Sequence, residues 1–315
     1  MNDQLAISTS KLTKKFGDFI SVNDVTFNVK RGEIFGFLGS NGAGKTTTIR
    51  MLCGILPPTS GSGVVAGYDI LTQPEKIKEN IGYMSQKFSL YSELTVEENI
   101  DFFSGAYKLN NNLRINAKKR ALEISKLTEK KKIQARNLAT GWKQRLALAC
   151  ALLHNPKIVF LDEPTAGVDP ISRRDFWDLI YDLASDGITI FVTTHFLDEA
   201  EHCTSIGLIH EGRIVAQGSP QFLKGQFQQQ LYRIETNNPI ELMEFLQKEN
   251  WVQDISLFGN SIHVSFQFGV EPKSLIKDAA SRSQLIIQNF EKISPSLEDV
   301  FISIIEDKSV IKGSN

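Results

Sequence analysis

Gly39-Ser40-Asn41-Gly42-Ala43-Gly44-Lys45-Thr46, followed by Thr47, is the stretch on which the reading of this chain turns. Its pattern, G-x-x-x-x-G-K-[ST], is that of a phosphate-binding loop. The glycines let the backbone curl until successive N–H groups converge on one anion, an approach that side chains would block. The pattern predicts a helix over residues 45–52, whose N-terminus adds partial positive charge beside the phosphates. Lys45 is placed to set its ammonium between the β- and γ-phosphates, and the Thr46 hydroxyl to ligate Mg²⁺. Upstream, Glu33-Ile34-Phe35-Gly36-Phe37-Leu38 is a short apolar run that reads as a buried parallel strand. Loop and strand-loop-helix context agree, and the fold class is α/β.

A second apolar run, Lys157-Ile158-Val159-Phe160-Leu161, ends in Asp162 and Glu163. A strand there delivers both carboxylates to the C-terminal edge of a parallel sheet, where ligands bind in open α/β folds. Asp162 is suited to hold Mg²⁺ and Glu163 to polarise an attacking water. Residues 188–194 form a further buried strand that carries His195 to the same edge, in position to sense a γ-phosphate. Gln86 closes the short strand Ile81-Gly82-Tyr83-Met84-Ser85 and alone is weak evidence for a site. Phe16, beside the turn Gly17-Asp18, fits either stacking on a base or simple packing.

With 315 residues, the chain has room for about two domains. A net charge of −1 with 41% hydrophobic and 23% charged residues gives no support to a nucleic-acid-binding face. Cys53, Cys150 and Cys203 stand singly, which argues against a zinc site or disulfide framework and fits a reducing cytosol. The first residues lack the basic start and apolar core of a signal peptide. The longest apolar run, residues 146–153, is far below the ~18 residues of a membrane span. Any membrane role is therefore expected through a partner. Between the motifs, Val25, Phe27 and Val29 alternate as in a half-buried strand, and residues 57–63 read as a breaker loop. Lys118-Lys119-Arg120 and Lys130-Lys131-Lys132 read as solvated helix faces.

Taken in order, these stations resemble an ABC-transporter ATPase over residues 1–225. They are the phosphate loop, Gln86, Leu138-Ala139-Thr140-Gly141-Trp142-Lys143-Gln144-Arg145, Asp162-Glu163-Pro164-Thr165, Gly167-Val168-Asp169-Pro170 and Thr194-His195. The resemblance implies a nucleotide-binding core with a β-rich N-terminal subdomain and a helical subdomain inserted at about residues 87–155. It implies ATP and Mg²⁺ as cofactors. Residues Gly39 through Thr47 would bind the phosphates, Phe16 would stack on adenine, and Thr46, Gln86 and Asp162 would serve the metal. Glu163 would be the catalytic base, with His195 and Gln86 as catalytic partners. Ala139, Thr140, Gly141 and Asp169 would act across a homodimer on nucleotide held by the other subunit. The usual signature, L-S-G-G-Q, stands here as Leu138-Ala139-Thr140-Gly141-Trp142. Losing the serine hydroxyl's hydrogen bond to a charged group costs about 1.5–3 kcal/mol, so a weakened clamp is expected.

From residue 226 to 315 the composition changes. A polar connector, Gln226–Gln230, is followed by strand, helix, two strands, helix and strand. The helices are expected over 239–249 and 272–281, with an alternating strand over 261–268. This βαββαβ order is the ferredoxin-like α+β pattern. A last helix is expected to be capped by Ser294 before Pro295. Pro295-Ser296-Leu297-Glu298-Asp299-Val300-Phe301 resembles the C-terminal extension of ABC-2-type exporter ATPases, a regulatory or dimerising domain. The resemblance thus implies a cytoplasmic ATPase subunit that exports through a separate ABC-2-type transmembrane permease, peripheral on the cytoplasmic face of the inner or plasma membrane. The alternatives are a soluble ATPase of the same family and a slow nucleotide-dependent interaction protein.

Overall fold

The computed structural model describes residues 4–86, 90–227, 229–267 and 269–312, the stretch 306–312 by its backbone alone. The chain divides into two compact units, Met1–Pro220 and Gln221–Asn315. The division precedes the polar connector expected at Gln226–Gln230, of which Gln228 lies outside the described residues.

The first unit opens with two long antiparallel strands, β1 (Leu5–Phe16) and β2 (Phe19–Lys30). Next come β3 (Ile34–Leu38), α1 (Lys45–Leu52), β4 (Ser60–Val65), β5 (Tyr68–Asp69), α2 (Pro74–Asn80) and β6 (Ile81–Met84). Val25, Phe27 and Val29 are buried, as their alternation predicts. The expected loop over 57–63 is shorter than predicted, because its second half joins β4. There Gly63 pairs with Thr9 and Ser62 with Ser10. The open edge of β1 supplies backbone partners that override the weak strand propensity of Gly and Ser.

Helices α3 (Val96–Ala106), α4 (Asn111–Ser125) and α5 (Thr140–Ala151) form the helical subdomain around Val96, Ile100, Leu122, Leu127, Leu146 and Leu153. Thr95 and Glu98 cap α3 reciprocally, which satisfies two of its free N–H groups. Buried Asn99 ties the preceding loop to α3, accepting from Tyr91 N and donating to the Tyr91, Leu94 and Thr95 carbonyls. Lys118 pairs with Glu97 and Asp101 across α3 and α4 rather than standing free in solvent. Lys130 ends a 3-10 turn, not a helix face, with its ammonium 5.6 Å from the Trp142 ring centroid.

The chain then returns through β7 (Ile158–Asp162), α6 (Pro170–Ser185), β8 (Thr189–Thr194), α7 (Leu197–Ala200), β9 (Ser205–His210) and β10 (Arg213–Gly218). The central sheet runs β10-β9-β3-β8-β7-β6, parallel except for β10. Phe27 of β2 meets Phe35, Phe37 and Phe191 of this sheet with centroids 5.3–5.9 Å apart. Each buried ring contributes about 1.5–3 kcal/mol, so this aromatic cluster joins the two sheets of the unit into one core.

α8 (Pro220–Gly225) leads to β11 (Leu231–Thr236), α9 (Pro239–Leu246), β12 (Val252–Phe258), β13 (Ser261–Phe266), α10 (Pro272–Ser283), β14 (Ile287–Ile293) and α11 (Leu297–Lys312). The sheet order β12-β13-β11-β14, antiparallel throughout, is the ferredoxin-like arrangement. Helix α9 stops three residues short of the expected Glu249. The β13 reading to Phe268 ends at Phe266, and Phe268 itself lies outside the described residues. The last helix is capped by Ser296, not Ser294. Asp299, three residues on, accepts from Ser296 N and Oγ, while its own N–H donates to Ser296 Oγ. Ser294 has Leu297 at that spacing, which cannot close such a box. Among the described residues no helix is long and apolar enough to cross a membrane.

Candidate functional site

Four loops leave the carboxyl ends of β3, β6, β7 and β8 and converge. The first wraps from Gly39 into α1. Gly44 caps that helix at φ +105°, and a Cβ there would come within 2.5 Å of the Ser21 carbonyl. Only glycine fits this turn. Inside the loop, buried Lys45 donates from Nζ to the Gly39 (2.8 Å) and Ser40 (3.1 Å) carbonyls. Ala43 N–H donates to Ser40 O, and Thr47 Oγ1 lies 2.9 Å from Ser21 Oγ. Asn41 and Gly42 form the exposed crown of the loop.

Glu163 sits beyond β7 at φ +49°, its N–H donating to the Thr193 carbonyl and hydroxyl oxygens. That strained backbone turns its side chain across the sheet edge toward the other three loops. Lys45 Nζ is 3.3 Å from Glu163 Oε1, Gln86 Nε2 donates to Oε2 at 2.9 Å, and His195 Nδ1 is 3.3 Å from Oε2. One carboxylate thus gathers a residue from each of the other three loops.

Asp162 is the last residue of β7. Its Oδ1 accepts from Thr193 Oγ1 at 2.7 Å and Thr46 Oγ1 at 3.2 Å. Burial raises its pKa, against the two hydroxyl hydrogen bonds that lower it. A buried carboxylate held beside a hydroxyl at the mouth of α1 gains most from a bound cation. These two oxygens therefore fit a divalent ion. Thr193 is a site residue that its apolar strand concealed. The detectable signal in the sequence is a polar threonine at the end of an apolar run, directly before the Thr194-His195 pair.

The remaining expected residues lie apart from this centre. Phe16 is half-exposed, paired with Phe19 across the β1–β2 turn, with Lys14 Nζ 5.3 Å from its ring centroid. Ala139 is the N-cap of α5 and offers no side-chain bond to it, and Thr140 opens the helix. Gly141 lies against Ser172, where a Cβ would come within 2.8 Å. Ser172 N–H in turn donates to Asp169, which caps α6, and that bond lowers the Asp169 pKa. Ala139, Thr140, Gly141 and Asp169 therefore share one face, made of the amino ends of α5 and α6.

The loop, the parallel sheet and the carboxylate pair define a P-loop nucleotide-binding protein. Residues 22–166 match the family described as ABC transporter, and residues 218–305 that described as ATP-binding protein DrrA1-3-like, C-terminal domain. The Nod factor export ATP-binding protein I of a Rhizobium species is 34% identical over 303 residues, 96% of this chain and 97% of that one. The chain belongs to the ABC-transporter family of ATP-binding proteins. It is also 51% identical over 223 residues to a probable multidrug ABC transporter ATP-binding protein, YbhF of Escherichia coli; the match takes in 71% of this chain and 39% of that longer protein. Among solved structures, cbiO1 from Clostridium perfringens, part of the ABC transporter complex cbiONQ, superposes with a TM-score of 0.66 at 29% identity. That match covers 71% of this chain and 92% of cbiO1. An ATP-binding cassette solved as a post-hydrolysis dimer with ADP and Pi gives 0.61 at 25% identity, covering 68% and 98%.

Proposed function

We propose that this chain is the ATP-hydrolysing subunit of an ABC-2-type exporter, working as a homodimer on a separate membrane permease. The observation that carries the reading is Glu163, drawn to the sheet edge with Lys45, Gln86 and His195 at 2.9–3.3 Å. Residues Gly39 to Thr47 hold the phosphates of ATP, with Lys45 leaving Glu163 for the incoming anion and Phe16 meeting the base. Glu163, released from Lys45, orients and deprotonates the attacking water, and His195 and Gln86 fix its carboxylate. Thr46 and Asp162, with Gln86 as a further oxygen donor, would hold Mg²⁺, which would supply charge neutralisation of the phosphates. Ala139, Thr140, Gly141 and Asp169 form the face offered to the partner subunit's nucleotide. The ferredoxin-like unit is a regulatory or dimerising domain, and the permease recruits the protein to the cytoplasmic face of the membrane.

Replacing Glu163 with Gln keeps the size and polarity of the side chain while removing the base. ATP should still bind, and phosphate release should fall about a hundredfold or more. Near-normal turnover in the purified variant would sink the assignment. A second reading, a slow nucleotide-dependent interaction protein, is favoured by the absent hydroxyl at Ala139. Wild-type turnover far below one per minute with tight ATP binding would select it.

A further inference from the structure

Glu199 is a carboxylate only 1% exposed, on the four-residue helix α7, and the hydrolytic reading gives it no task. Thr165 Oγ1 donates a hydrogen bond to its Oε1. Arg173 Nε lies 3.7 Å from the same oxygen, and Oε2 accepts no hydrogen bond among the described residues. Such a burial costs several kcal/mol unless something compensates it. Its neighbours explain the placement. The Arg173 guanidinium covers the Phe196 ring at 4.9 Å, and that ring lies 4.0 Å from the imidazole of His195. His195 Nδ1 is 3.3 Å from Glu163, and Thr165 follows Glu163 by two residues. The contacts close a ring: Glu163, His195, Phe196, Arg173, Glu199, Thr165 and back along the chain to Glu163.

We propose that Glu199, bound to Thr165 and facing Arg173, is a positioning residue. It locks the His195 loop to the segment that carries Glu163, so that the histidine is aimed at the reacting carboxylate. The inference rests on the hydrolytic reading of the site. A closed ring holds its two catalytic members more narrowly than their single 3.3 Å contact does, because each link restricts the next. Thr165 is the link that opens the ring most cleanly. Thr165→Val keeps the shape and removes the hydroxyl, whereas Thr165→Ser keeps the hydroxyl.

In the full-length protein, Thr165→Val and Glu199→Gln should each lower kcat about tenfold, with KM for ATP and equilibrium ATP affinity within about twofold of wild type. Thr165→Ser should recover most of the turnover. In a His195→Ala background, Thr165→Val should cost less than about twofold more, since residues acting through one another do not add. Full additivity in that background, or unchanged kcat in both single variants, would overturn the proposal. The imidazole NMR signals of His195, in wild type and Thr165→Val, provide a readout that needs no turnover. Broadened or shifted His195 signals with an unchanged thermal midpoint support the link, and identical spectra refute it. A wild type without ATPase activity would defeat the hydrolytic reading, while the histidine spectra would still decide the ring.

Discussion

Ala139→Ser tests the altered signature directly, and its magnitude can be worked from the backbone at that position. Ala139 caps α5 at φ −62°, ψ 156°, almost the geometry of Asp169 on α6 (−62°, 155°) and Asn110 on α4 (−68°, 163°). In both of those caps the side-chain oxygen accepts from an N–H three residues on. A serine at 139 can therefore accept from the Trp142 N–H, which now donates to the Ala139 carbonyl at 3.0 Å and would be shared between the two oxygens. Exchanging Ala for a capping residue contributes about 0.5–2 kcal/mol, typically about 1. For a unit of the size of Met1–Pro220, that raises the unfolding midpoint by about 2–4 °C. On the proposed homodimer, the same hydroxyl would keep its proton for the partner's γ-phosphate, worth about 1.5–3 kcal/mol more in the ATP-bound dimer. Differential scanning calorimetry without nucleotide measures the first effect. Sedimentation with ATP in a Glu163→Gln background measures the second, expected as a roughly tenfold or greater gain in dimer affinity. An unmoved midpoint would refute the capping argument. A raised midpoint with unchanged dimerisation would show that the alanine is no handicap to the clamp.

Three further outcomes follow from the geometry. Burial raises the pKa of Asp162, so its charge opposes folding and stability falls as pH rises from the unfolded value of 3.8 through the folded one. Asp162→Asn should thus raise the thermal midpoint at pH 7 in chelator and abolish stabilisation by Mg²⁺ with ATP; a lowered midpoint in chelator would contradict this. Tyr91 and Phe102, 47% and 45% exposed with rings 4.3 Å apart, form an aromatic pair on the helical subdomain just after Gln86. Leu90, between Gln86 and Tyr91, is partly buried against that subdomain's core. Tyr91→Ala with Phe102→Ala should leave turnover within a few-fold and abolish co-sedimentation with permease-containing membranes, and retained membrane binding would place the docking surface elsewhere. Residues 1–220, having their own core, should bind ATP alone when expressed as a fragment, and an insoluble fragment would refute that independence.

Much of this was legible from local pattern. A phosphate loop depends on short-range backbone geometry, and apolar runs ending in carboxylates, histidine or glutamine mark strand ends by period and length. Their positions along the chain were therefore readable from Gly39 to His195, as was the βαββαβ order of the second unit. What the chain could not declare was any contact set by strand order. Thr193 joins the site only because β8 lies beside β7, and Ser21 only because β2 passes over the phosphate loop. The strand Ser60–Val65 exists because β1 offers an open edge, against its own propensities. The ring through Phe196, Arg173 and Glu199 joins residues up to 36 apart by burial and charge. Local sequence governs the torsions of a few neighbouring residues, whereas pairing across strands and the cost of burying a charge are settled only when distant segments meet.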